Sequence, residues 1–141
     1  MSQNTLTDSK GAVVFKKRLI LYADAISGSK GELLREVVIE KFFQTHIEML
    51  PRLESLIHRL NLPPERNFSS LYLLLAESFE RLEQLHEIRA LVDGKKVVLV
   101  IPDDRQMTYK LAFQMYPRYV SVIDVSYTTL CSVLFEMLRQ K

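Results

Sequence analysis

Lys16-Lys17-Arg18-Leu19-Ile20-Leu21-Tyr22-Ala23-Asp24 and Lys95-Lys96-Val97-Val98-Leu99-Val100-Ile101-Pro102-Asp103 share one pattern. Each is a lysine pair, an apolar run and then an aspartate. A short apolar run bounded by charge is how a strand covered on both faces reads, because a parallel sheet carries helices over each side. An acid directly after such a run falls where parallel strands end and ligand-binding loops gather. The repeat therefore predicts strands at 18–23 and 97–101. The first stretch has a competing reading, since Phe15, Leu19, Tyr22 and Ile26 also fall at helical spacing. That parse would leave a helical bundle followed by a two-stranded βαβα unit. The match to the second stretch favours a strand.

Working outward, Ser27-Gly28-Ser29-Lys30-Gly31 reads as a loop, and Ser29 with Glu32 has the spacing of a capping box. A helix is expected from about residue 30 to 49, ended by Pro51. Leu53, Leu56, Ile57 and Leu60 mark a second helix over 52–60, broken by Pro63-Pro64. Phe68, Leu71, Leu75, Phe79, Leu82, Leu85 and Ile88 suggest a long amphipathic helix over 68–92, with Gly94 as terminator. After the strand at 97–101, a helix is expected over about 104–116, capped by Asp103 with Gln106 reaching back. A strand at 119–123 and a last helix over about 127–139 follow, with Asp124 and Ser126 as caps. The expected architecture is α/β: a three-stranded parallel sheet with a large helical segment at 32–92 and two further helices. Residues 12–141 would form one domain behind a flexible stretch at 1–11.

Bulk composition narrows the function classes. The chain has 141 residues, 48% hydrophobic and 26% charged, with a net charge of +2. That balance belongs to a globular domain and argues against a nucleic-acid partner, which calls for a basic stripe with interleaved aromatics. The single cysteine, Cys131, sits among Leu130, Val133 and Leu134 and reads as a small core residue. No apolar run is long enough for a signal peptide or a bilayer span, so a cytoplasmic location without membrane attachment is expected.

If the three strands are parallel, their C-terminal ends gather Asp24, Lys30, Asp103, Asp104 and Asp124. Several carboxylates beside one lysine could hold Mg²⁺ against phosphate. The same acids are also preferred helix caps, and each precedes a predicted helix start. The loop at 27–31 lacks P-loop spacing. His46, His58 and His86 are widely spaced, without a zinc-binding pattern. No Gly-x-Ser-x-Gly elbow is present.

The stretch 95–139 resembles the first half of a response-regulator receiver domain, through the strand 97–101, the pair Asp103-Asp104, Arg105, and Tyr119-Val120. The likeness covers about a third of the chain and departs at Ile101-Pro102, which separate the strand from its acids. It would give Asp103 and Asp104 a Mg²⁺-binding role.

Apolar positions on the predicted helices make Leu71, Leu75, Phe79, Leu82, Phe135 and Met137 candidates for an interface. The function expected is a non-enzymatic cytoplasmic regulatory domain that self-associates or binds a protein and needs no cofactor. The alternative is a Mg²⁺-dependent phosphate- or nucleotide-binding enzyme using the strand-end acids.

Overall fold

The backbone of a computed structural model is described for residues 5–7, 13–24, 30–123 and 126–139. Both lysine-led stretches are strands. β2 (Val13–Tyr22) and β5 (Lys96–Ile101) belong to one sheet, together with β1 (Thr5–Thr7), β3 (His46–Leu50), β4 (Phe68–Leu75) and β6 (Tyr119–Val122). β2 pairs in parallel with β3 and β4, β4 with β5, and β5 with β6. β1 pairs antiparallel with Val13–Phe15, on the edge of β2 that β3 occupies further along. The sheet thus has five parallel strands, not three, plus one short antiparallel strand. Thr5–Thr7, expected to be flexible, is that strand.

The correction falls on the segment 32–92. It is not a helical insertion, because it contributes two strands. Leu71 and Leu75 read as one side of a helix, yet residues 71–75 alternate between two cores. Tyr72 and Leu74 enter one, Leu71, Leu73 and Leu75 the other, and all five are at most 6% exposed. β4 is the middle strand of the five and is covered on both faces. Such a strand has no polar side, so its apolar run also fits helical spacing. The helix expected over 30–49 ends at Lys41: α1 is Lys30–Lys41 and β3 follows. As an edge strand, β3 carries only one fully buried residue, Leu50, and shows no apolar run.

The remaining helices are α2 (Leu53–Leu60), α3 (Phe79–Glu87), α4 (Arg89–Val92), α5 (Gln106–Phe113) and α6 (Thr128–Arg139). α1 and α6 supply Leu34, Val38, Leu130 and Leu134 to one core, joined by Phe42 directly after α1. α2, α3, α4 and α5 supply Leu56, Leu82, Val92 and Ala112 to the other. The space order of the parallel strands is β3-β2-β4-β5-β6. Numbered along the chain these are 2-1-3-4-5, the order of flavodoxin-like doubly wound sheets. Residues 95–139 therefore form the last two parallel strands and their helices, and Asp103-Asp104 follows the fourth parallel strand rather than the first.

A candidate site at the strand switch point

In this strand order the chain leaves β2 towards one edge and later returns to its other side with β4. The crevice beyond the C-terminal ends of β2 and β4 is where doubly wound sheets receive ligands. Ala23 and Asp24 follow β2, and Glu77 and Ser78 follow β4. Gly31 lets α1 begin directly over the strand end: a Cβ there would stand 3.0 Å from the Asp24 carbonyl and 3.2 Å from the Ala23 Cβ. Only a hydrogen fits without a shift of backbone.

The crevice is occupied by its own side chains. Asp24 accepts a hydrogen bond from the Tyr22 hydroxyl on Oδ1 (2.8 Å) and from Arg81 Nε on Oδ2 (3.0 Å). The Asp24 and Arg81 side chains are 14% and 26% exposed, so the pair is largely withdrawn from water. Burial first, and then the bond to Asp24, push the Tyr22 phenol well above its ordinary pKa, so it stays a neutral donor. Arg35 Nη1 donates to the carbonyls of Ala23 and Asp24, at 3.0 and 3.1 Å. Glu77 Oε1 accepts from the Lys30 N–H at 2.8 Å, so a carboxylate already sits on the first turn of α1. Ser78 caps α3, its hydroxyl accepting from the Arg81 N–H at 3.1 Å.

Asp103 lies at the end of β5 and is likewise committed locally. Its Oδ1 accepts from the Arg105 N–H (3.0 Å) and the Thr108 hydroxyl (2.6 Å), and its Oδ2 pairs with Arg105 Nη2 at 3.1 Å. The Arg105 and Thr108 hydrogen bonds hold its carboxyl down at about 2, and Asp103 in turn raises the guanidinium. Asp103 is a turn former ahead of α5 rather than its N-cap, which is Arg105. Asp104 is exposed, and Lys30 is exposed as the first residue of α1. Asp124, and Ser27 to Ser29 of the 27–31 loop, lie outside the described residues. No group of three His, Cys, Asp or Glu that could hold a metal occurs among the described residues.

The structure thus links Asp24 to Arg81 and Glu77 to Lys30, while Asp103 is tied within its own loop. A single helix over 68–92 hides Glu77 and Arg81, and Arg35 carries no sequence signal because it reaches the site only through the backbone carbonyls of Ala23 and Asp24. With 68–75 as a strand, Glu77-Ser78 would have fallen at its end, beside Asp24. Of the interface candidates, Leu71, Leu75 and Leu82 are buried in the chain's own cores. Phe79 is half-buried with Arg105 over its ring at 5.9 Å. Phe135 is 45% exposed, its ring 4.2 Å from that of Phe42, and Met137 is half-buried. Among the described residues no helix is long and apolar enough to cross a membrane. No protein-family model matches the chain, and no curated protein matches it.

Proposed function

We propose that this chain is a non-catalytic cytoplasmic regulatory domain that works by self-association through the end of α5. The observation that carries the reading is Tyr116. It is 86% exposed and held at φ 52°, in the left-handed region, directly after α5. A tyrosine there costs about 1 kcal/mol or more relative to glycine, which takes that conformation freely. Strain of this kind persists where a side chain has a use, and an exposed ring beside another exposed ring suits a protein contact. Phe113, three residues earlier, is 55% exposed and stacks with Tyr109 at 5.9 Å, and Met107 at the other end of α5 is 70% exposed. β6, the next element in the chain, is the outer strand of the sheet, its residues half-buried. A second copy could cover this edge and the rings together. The committed state of Asp24, Glu77 and Asp103 supports the same reading, since each carboxylate is spent on the chain's own groups.

Sedimentation velocity over a range of concentrations tests it. The expected result is a concentration-dependent dimer that Tyr116→Gly and Phe113→Ser each weaken. Tyr116→Gly should at the same time raise the unfolding free energy by about 1 kcal/mol, through relief of the left-handed strain. A single monomeric species at every concentration sinks the proposal.

The alternative, a Mg²⁺-dependent phosphate- or nucleotide-handling enzyme, draws on one observation. Asp24 and Glu77 lie at the switch point, where doubly wound sheets place ligands. In that reading Arg81 would swing off Asp24 and bind phosphate while Asp24 took the metal.

A further inference from the structure

The two rims of the sheet differ in how their charges are placed: at the C-terminal rim Asp24 and Asp103 are paired with Arg81 and Arg105. Asp24, Glu77 and Asp103 stand at the C-terminal ends of the parallel strands. Of the lysine pairs of the opening motif, Lys16-Lys17 lie within β2 level with the first residues of β4, and Lys95-Lys96 stand at the start of β5. Burial first, and then the nearby charge of Lys96, lower the Lys17 pKa. At this opposite rim lies a cavity of about 960 Å³, within the size range of small-molecule sites.

Its lining joins cations to aromatic rings. Lys16 and Lys17 come from β2, Lys41 from the last turn of α1, and Arg139 from the end of α6. Among the described residues no carboxylate lines the cavity, and Arg139 pairs at 3.4 Å with Glu136 outside the lining. Phe42, stacked on Phe135, belongs to the wall, and beside it Phe43 holds its ring 75% exposed. Part of this charge balances the C-terminal dipoles of α1 and α6. Dipole balance gives no reason for a phenylalanine to be kept in water at the same spot. Clustered cations answer a phosphate, and an exposed ring answers a flat base; the two together are how nucleotides are held without sequence preference.

We infer that this cavity binds a nucleotide, free or as a unit of a single strand, with its phosphate among Lys17, Lys41 and Arg139 and its base on Phe43. The site is at the opposite rim from the switch point and does not depend on the association proposed for α5. An acidic peptide would satisfy the cations but not select for a base.

Fluorescence anisotropy with a short labelled oligothymidylate, calorimetry with ATP, and competition by inorganic polyphosphate form the test. The oligonucleotide, ATP or both should bind: ATP alone marks a free nucleotide as the source, and the oligonucleotide alone marks a strand. Oligonucleotide binding should weaken with salt, at a log–log slope of about −0.7 per phosphate contacted. Phe43→Ala should weaken binding about ten-fold or more, by loss of stacking. Lys41→Glu should abolish it and, by opposing the C-terminal dipole of α1, lower the melting temperature slightly, while Lys41→Gln should weaken binding and Phe43→Ala should leave the melting temperature unchanged. Failure of both nucleotide probes to bind overturns the inference. So does binding that Phe43→Ala leaves intact and polyphosphate matches, which would be charge attraction alone.

Discussion

Leu73→Ala is expected to lower the unfolding free energy by about 3–5 kcal/mol, the largest effect of any single truncation considered. Leu73 is fully buried on β4, level with Leu21 of β2 and Val98 of β5, and it faces the core that α1 and α6 cover. The strands on either side fix the backbone, so the space left by three missing carbons cannot close by a local shift. The loss is then the transfer energy of the side chain plus the cavity it leaves. Urea unfolding reads it as a lower midpoint with an unchanged slope. Leu62→Ala, at a 44% exposed position after α2, should change stability by no more than about 0.5 kcal/mol. The reverse order would mean that 68–75 is not the centre of the sheet.

Glu65→Ala should cost about 2–3 kcal/mol, although Glu65 itself is 40% exposed. Its Oε1 accepts from Arg18 Nη1 at 3.1 Å and from Arg59 Nη2 at 3.4 Å. Both guanidinium groups are nearly buried, with 6% and 9% of their side chains exposed. Removing the shared carboxylate leaves Arg18 with Ser70 and with the Phe68 ring 4.2 Å from its Cζ, and leaves Arg59 with Glu48 at 2.7 Å. Two buried cations are then under-compensated, and that penalty, more than the lost bonds, sets the size of the effect. Exposure of Glu65 keeps the cost below that of a fully buried pair. Glu65→Gln keeps an acceptor in place and should cost about half as much, a difference that thermal melting resolves.

The strands that carry the repeated motif were legible because a charged pair and an aspartate frame each apolar run. β6 was legible through its alternating Tyr119-Val120-Ser121-Val122. β4 was not, since a strand in the middle of a parallel sheet contacts apolar neighbours on both sides and shows no period of two. β3 was not, since an edge strand with Glu48 and Met49 reads like the continuation of the helix before it. Losing those two strands hid the switch point as well. Asp24 could be picked out from its place after an apolar run, but its partner Arg81 is 57 residues away and is brought near only by the return of β4. Asp103 was picked out for the same reason as Asp24, and its bonds to Arg105 and Thr108 make it a turn former ahead of α5 rather than the cap that the sequence suggested beside the metal-binding role.

The proposed non-catalytic role requires that Asp24, Glu77 and Asp103 stay committed to the chain's own groups at the strand-end rim. The most direct measurement is a Mg²⁺ titration followed through the backbone amide resonances. The expected result is no saturable shift at Asp24, Glu77 or Asp103 in the wild-type chain. A saturable shift centred on Asp24 and Glu77, and abolished by Asp24→Asn, would contradict it.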